Sequence, residues 1–242
     1  TVRYLISGGM LYAKTAATDV AITGDNTKIS YALGGGFAPV GSDQSLDKDF
    51  AATSNTIATA NFSMTGGTVN GAICLGGGYS YSYTKDITAT LNGVTINGGL
   101  YGIGWNGNSD KVDATVSKCT FKKAEGYTTI AALVRGKANE VSMNFDNCTF
   151  DNENGYECYL GADADWQDGN YPTPVSGKTT MTFAGSSIPA VKVSEGMQDV
   201  VLNGAKVNVN KFLQKTNGSV YVSTFSVPSG KTWSFQKGMT IG

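Results

Sequence analysis

The chain has 242 residues, enough to bury one sizeable core, and only 15% of them are charged. Its 18 Lys and Arg nearly balance 19 Asp and Glu, so the formal net charge is −1; without a basic cluster, nucleic acid is excluded as an expected partner. No apolar run reaches the roughly 18 residues of a membrane-spanning helix, so no membrane span is expected.

Glycine is unusually abundant, with 32 Gly against 5 Pro, which favours many tight turns and disfavours long helices. Thr, Ser, Asn and Tyr are also frequent, a composition typical of secreted β-rich surface proteins. The chain begins at Thr1 rather than Met, which fits removal of a secretion signal and fits a trimmed chain equally well. We therefore expect an extracellular or cell-surface location.

The N-terminal region contains two strand-like runs, 2–6 and 28–33, but no clean repeat. The repeat described next predicts stacked coils, and exposed end strands of such a stack need a cover, so we expect residues 1–56 to form an N-terminal cap or first irregular coils. Residues 57–219 are predicted to carry the regular coils. Residues 220–242 are predicted to form a C-terminal coil or cap, and the whole chain one domain.

A hexapeptide recurs six times along the middle of the chain. Each copy has an apolar residue at its first and last positions, Gly or Asn at the third in five of the six, and usually Thr or Ser at the fifth. Because Gly and Asn accept positive φ at low cost, the third position is predicted to be a left-handed residue that bends the chain between two strands. The copies are 64–69, 91–96, 116–121, 145–150, 183–188 and 202–207.

Strand-like stretches flank these copies. An alternating stretch such as 87–91 or 112–116 precedes a copy, and a short apolar stretch such as 72–75 or 100–103 follows one. One repeat is therefore predicted to contain about three strands. Successive copies start between 19 residues (183 to 202) and 38 residues (145 to 183) apart, which suits solenoid coils with loops of variable length.

This arrangement resembles the right-handed parallel β-helix superfamily, which includes pectate-lyase-like enzymes, phage tailspikes and adhesin passengers of the autotransporter type. The resemblance covers roughly Ile57 to Val207 and rests on repeat and turn chemistry. It implies an all-β fold, a single-stranded right-handed parallel β-helix with irregular N- and C-terminal caps. A β-sandwich or a propeller-blade repeat is the structural alternative, and the resemblance implies a fold more firmly than a function.

Stacked coils would bring the segments that follow the second short strands side by side, in one lateral strip. Aromatic rings cover the apolar face of a pyranose while polar groups bind its hydroxyls, so the strip is predicted to bind a glycan or a surface protein. Tyr79, Tyr81 and Tyr83 alternate with serines and so share one face of a strand, either as a binding patch or as a buried cluster. The predicted ligand-binding residues are Tyr79, Tyr81, Trp105, Asn106, Arg135 and Trp166.

Histidine is absent, which removes the commonest acid-base group, and no catalytic set is identified. The segment 161–170 places Asp163, Asp165 and Asp168 before a glycine, which partly matches a calcium loop but lacks its bidentate Glu. Calcium is therefore a candidate cofactor at these aspartates, with a solvated acidic loop as the alternative. If the chain is an enzyme, these carboxylates and Arg135 are its candidate catalytic residues.

The four cysteines leave a redox question open. Cys119 and Cys148 share one hexapeptide position in successive copies, which allows a disulfide or a pair of buried thiols, and we favour buried thiols. Cys74 and Cys158 belong to the second strand row, separated by two coils, and are not expected to bond. No CxxC spacing indicates zinc.

The leading functional prediction is an adhesin-like surface or secreted binding module from a bacterium or its phage. Its loops would recognise a glycan or another protein. One alternative is a polysaccharide lyase or glycoside hydrolase of the same fold. The other is a structural subunit that forms a homo-oligomer through its coil ends.

Overall fold

The structure is a computed structural model that describes residues 1–7, 14–33, 56–76, 83–104, 107–124, 129–133, 136–154, 156–162, 175–184, 190–193, 200–204, 206–209 and 232–235. These residues form twenty β-strands and one short 3-10 helix, Asn152–Asn154. The strands are β1 (Val2–Ile6), β2 (Lys14–Thr23), β3 (Lys28–Leu33), β4 (Thr56–Thr65), β5 (Thr68–Val69), β6 (Ala72–Cys74), β7 (Tyr83–Asn92), β8 (Thr95–Asn97), β9 (Gly99–Ile103), β10 (Gly107–Ser117), β11 (Thr120–Lys122), β12 (Thr129–Leu133), β13 (Gly136–Asp146), β14 (Thr149–Phe150), β15 (Glu157–Ala162), β16 (Val175–Ala184), β17 (Ala190–Val193), β18 (Val200–Gly204), β19 (Lys206–Val209) and β20 (Thr232–Phe235).

Successive coils repeat one strand pattern. A long strand of 10 or 11 residues is followed by two short strands, in β4–β5–β6, β7–β8–β9, β10–β11–β12 and β13–β14–β15. The long strands form one sheet in the order β18-β16-β13-β10-β7-β4-β2, here called the long-strand sheet. The short strands form a second, the short-strand sheet, in the order β14-β11-β8-β5-β3-β6-β9-β12-β15-β17, with β1 beside β3.

Every strand pair within the described residues is parallel. The chain is therefore a parallel β-solenoid, which confirms the predicted fold class. A β-sandwich is excluded because its sheets are built from antiparallel strands.

The hexapeptide copies lie in register, as predicted, over the first five of them. Met64 pairs with Leu91, Leu91 with Val116, Val116 with Phe145 and Phe145 with Phe183. The last positions of the first four copies pair likewise, in the row Val69, Ile96, Phe121 and Phe150.

The predicted register of the sixth copy, 202–207, is wrong by two residues. Leu202 pairs with Met181, and Gly204 rather than Leu202 pairs with Phe183. A two-residue slip keeps every side chain on the same face of a strand, so the apolar pattern alone does not distinguish the two registers.

The third position of the hexapeptide is left-handed, as predicted. Its φ is 69° at Gly66, 65° at Gly93, 54° at Lys118 and 51° at Asn147. The amide of Gly93 donates to the carbonyl of Ser117 at 2.9 Å, and that of Lys118 donates to Asp146 at 2.8 Å. Because the neighbouring coil fixes the turn through these bonds, even lysine takes a conformation that normally costs about 1–2 kcal/mol.

Aromatic and aliphatic side chains stack between the sheets at the coil spacing of about 4.8 Å. The rings of Phe145 and Phe183 stack at 4.8 Å and 9°, and those of Phe121 and Phe150 at 4.9 Å and 16°. The buried Tyr156 hydroxyl donates to the carbonyl oxygen of Gly98 at 2.7 Å. The core is therefore a set of ladders that run along the solenoid axis.

Strands β2 and β3 continue both sheets at the N-terminal side. Ile22 pairs with Met64 and Ile29 pairs with Val69, so this part follows the register of the repeat. The connection between β2 and β3 has four residues, 24–27, where β4 and β5 are joined by two. The two extra residues break the six-residue spacing, which explains why no copy is visible there in the sequence.

Candidate binding site

The connections between strands differ sharply on the two sides of the long-strand sheet. On one side, here called the turn edge, four long strands are followed by connections of two residues each: 66–67, 93–94, 118–119 and 147–148. On the other side, the variable edge, strands β6, β9, β12 and β15 are followed by connections of 8, 3, 2 and 12 residues. These are 75–82, 104–106, 134–135 and 163–174.

The four connections of the variable edge start from neighbouring strand ends. Strands β6, β9, β12 and β15 are consecutive in the short-strand sheet, and Ile73, Leu100, Ile130 and Cys158 form one paired row. Parallel neighbours lie about 4.8 Å apart, so each connection leaves the sheet one coil from the next. Length variation in a solenoid is absorbed in such connections, which is also where binding residues concentrate.

Every residue predicted for the ligand-binding strip lies outside the described residues, within 77–82, 105–106, 134–135 and 163–174. The structure fixes the strand ends that precede these segments, and the strip itself stays a prediction. The residues concerned are Tyr79, Tyr81, Trp105, Asn106, Arg135 and Trp166, together with the calcium and catalytic candidates Asp163, Asp165 and Asp168.

The base of the variable edge is tightly packed. Leu75 and Ile103 are fully buried, and the amides of Leu75 and Gly76 donate to the carbonyls of Tyr101 and Gly102 at 2.8 Å. A Cβ on Gly76 would lie 2.5 Å from Cδ1 of Ile87 and 2.6 Å from Cδ1 of Ile103. The first residues of the connection are therefore held against the core.

Tyr83, the described member of the tyrosine alternation, is engaged by the long-strand sheet. It is partly buried at the start of β7. Partial burial raises its pKa to about 12, aided by the hydrogen bond that its hydroxyl donates to Asp110 and by the charge of that carboxylate. Asp110 also accepts a hydrogen bond of 3.1 Å from Asn139 Nδ2. Tyr83 therefore anchors the strand that follows the first variable connection.

The outer face of the long-strand sheet carries a shallow groove that the sequence did not predict. Its volume is about 270 Å³, and it crosses strands β2, β4 and β7. Asn61 Nδ2 donates to Asp19 Oδ1 at 2.6 Å, and Ser63 Oγ donates to the Val20 carbonyl at 3.2 Å. The lining residues are Asp19, Val20, Ala21, Asn61, Phe62, Ser63, Thr88 and Thr90.

Polar groups in this groove form rows along the solenoid axis. The backbone register aligns Asp19 with Asn61 and Asn61 with Thr88, and a second row runs from Ser63 to Thr90. Hydroxyl, amide and carboxylate groups at regular spacing can exchange hydrogen bonds with a polyhydroxylated ligand. The outward Thr and Ser of the alternating strands are a signal for this face. The rows are visible only once β2 is paired with β4.

All four cysteines are buried thiols, and for Cys119 and Cys148 this agrees with the interpretation favoured from the sequence. Cys74 and Cys158 lie on β6 and β15, with β9 and β12 between them, as predicted. Burial raises the pKa of both thiols. Cys119 and Cys148 occupy successive turns of the turn edge.

Within the described residues, no group of three or more His, Cys, Asp or Glu could hold a metal ion. No helix in this part of the chain is long and apolar enough to cross a membrane. Comparison of the chain with protein-family models, with curated proteins and with solved structures finds no match. The fold thus defines a class, the parallel β-solenoid.

Proposed function

We propose that the chain is a secreted or cell-surface binding protein, adhesin-like, that recognises a glycan through the connections of its variable edge. The observation that carries this proposal is the contrast in connection lengths: two residues after β4, β7, β10 and β13 and four after β2, but 8, 3, 2 and 12 at the variable edge. Solenoids vary in length where they bind and stay regular where coils must stack.

The residues in these connections support a glycan rather than another ligand class. Three of the four connections contain an aromatic residue, and the fourth contains Arg135. Trp105 and Trp166 offer ring faces for a pyranose, and Asn106 offers amide groups for hydroxyls. The net charge of −1 gives no long-range attraction to a strongly charged partner, which favours recognition by stacking and hydrogen bonds.

The proposal is tested by glycan-array binding of the whole chain and of Trp105→Ala and Trp166→Ala. We expect each substitution to weaken binding by about tenfold, because a lost stacking contact costs roughly 1–1.5 kcal/mol. The matched control is Thr88→Ala combined with Thr90→Ala, which strips exposed hydroxyls from the groove and leaves the variable edge unchanged. Circular dichroism of each variant verifies that the β-structure is intact.

Three outcomes would contradict this assignment. Loss of binding in the threonine variant alone would move the site to the groove. Undiminished binding in both tryptophan variants would remove the strip. Release of unsaturated or reducing ends from a polysaccharide, lost in Asp165→Asn, would replace the binding role by a polysaccharide-active enzyme.

A further inference from the structure

Two thiols occupy equivalent places in successive turns of the turn edge. Cys119 and Cys148 each follow the left-handed residue of their turn and are 1% and 3% exposed. The amide of Thr149 donates to the carbonyl of Cys119 at 2.9 Å, so the two turns are hydrogen-bonded beside the pair. Neighbouring parallel backbones lie about 4.8 Å apart, within the roughly 4.4–6.8 Å between Cα atoms that a disulfide spans.

Both sulfur atoms lie against the end of β10. Cys119 Sγ lies 3.3 Å from the carbonyl oxygen of Ser117, and Cys148 Sγ lies 3.3 Å from that of Val116. These carbonyls belong to consecutive residues at the end of β10. The two thiols are also hydrogen-bonded to each other. Their side chains therefore point together rather than apart.

The other two cysteines lack this arrangement. Cys74 and Cys158 are separated by three strand spacings, about 14 Å, which is beyond the reach of a disulfide. Cys158 Sγ lies 3.4 Å from Sδ of Met181, in the neighbouring coil. The chain thus contains one pair placed to bond and one equally buried pair that is not.

We propose that Cys119 and Cys148 are an oxidation site that closes a disulfide between successive coils when the folded protein meets a small peroxide. The residues are 29 positions apart, so the bond would link one complete coil to the next. Because both thiols are buried, an oxidant reaches them only when the turn opens locally, and a small peroxide needs a smaller opening than a bulky disulfide.

The chemistry runs in two balanced steps. The thiolate of Cys148 attacks one oxygen of hydrogen peroxide, the O–O bond breaks, and a sulfenic acid forms while the departing hydroxide takes up the thiol proton as water. The thiolate of Cys119 then attacks the sulfur of that sulfenic acid, and hydroxide leaves and takes up the second thiol proton as water. Two thiols are oxidised, and one peroxide is reduced to two waters.

The order of attack follows from the hydrogen bond between the thiols. This bond, received from Cys119, is the main cause that lowers the pKa of Cys148. The same bond, followed by burial, raises the pKa of Cys119. The hydrogen bond therefore favours the thiolate of Cys148 as the nucleophile that attacks peroxide.

The test treats the whole folded chain with hydrogen peroxide, removes the oxidant, unfolds the protein and alkylates the remaining thiols. We expect a mass loss of about 2 Da, two thiols that resist alkylation, and a cross-linked peptide that joins Cys119 to Cys148. The closed loop should raise Tm by about 5–10 °C, and a reductant should reverse the change.

Two variants make the test specific. After oxidation, the double variant Cys74→Ser, Cys158→Ser should still have two thiols that resist alkylation. The variant Cys148→Ser should form no cross-linked peptide. Four alkylated thiols in oxidised wild type, a cross-link that involves Cys74 or Cys158, or sulfinic acid without a cross-link would each overturn the proposal. The measurement on the wild-type protein tests the proposal by itself, so it remains decisive even if a variant fails to fold.

Discussion

The two sides of each coil obey different physical constraints. At the turn edge, the last inward-facing residues of the long strands, such as Leu91 and Phe145, are buried and apolar, and each two-residue turn is hydrogen-bonded to the next coil. At the variable edge, β7 and β10 begin with a buried polar pair, Thr84 beside Ser109, and connection length is free to change. Hydrogen-bonded turns keep four connections of the turn edge at two residues, whereas the variable edge accommodates connections of 2 to 12 residues beyond its packed base.

The largest expected effect is the removal of a ring from the turn edge. Phe145→Ala should lower the free energy of unfolding by about 3–5 kcal/mol, because it leaves a cavity between Phe183 and Phe121. Arg135→Ala, in the variable edge, should change it by less than about 0.5 kcal/mol. Equilibrium urea denaturation of both variants measures the contrast, and equal losses would remove the distinction between the two edges.

A smaller effect should follow from backbone conformation at the turns. Gly93 has φ of 65° and open space around its missing Cβ, so Gly93→Ala should cost about 1–2 kcal/mol through conformation alone. Gly93→Asn should cost less, because Asn tolerates this region. Lys118→Gly should instead raise the free energy of unfolding by about 0.5 kcal/mol. It relieves the same strain, and the more flexible unfolded chain offsets part of that gain. A stabilising Gly93→Ala would show that the turn is not held in this conformation.

Opposite effects of about 1 kcal/mol are expected for the polar pair on the variable side. The buried Thr84 hydroxyl has no hydrogen-bond partner among the described residues, so Thr84→Val should raise the free energy of unfolding by about 1 kcal/mol. Ser109 Oγ, in contrast, lies 3.1 Å from the carbonyl oxygens of Lys85 and Lys111. Ser109→Ala should therefore lower the free energy of unfolding by about 1 kcal/mol. Urea midpoints that move in the same direction for both variants would contradict this account.

The candidate sites were predictable to different degrees. The variable edge follows from the repeat, because the short apolar stretches around Ile73 and Leu100 predict which connections start side by side, and their pairing confirms it. The groove required the pairing of Asn61 with Asp19, 42 residues apart, through a coil whose longer turn hides the repeat. Side-chain patterns specify faces, but they do not specify which distant strand lies alongside.

By itself, the sequence determined the strands, the left-handed turn position and the inward apolar rows, because each depends on local spacing and on the conformational freedom of Gly and Asn. Only the tertiary structure decided the register of Leu202 against Met181, the left-handed conformation of Lys118 and the convergence of Cys119 with Cys148. The reason is that hydrogen bonds between coils join residues distant in sequence, and a period of two leaves registers two residues apart equally acceptable until those bonds form.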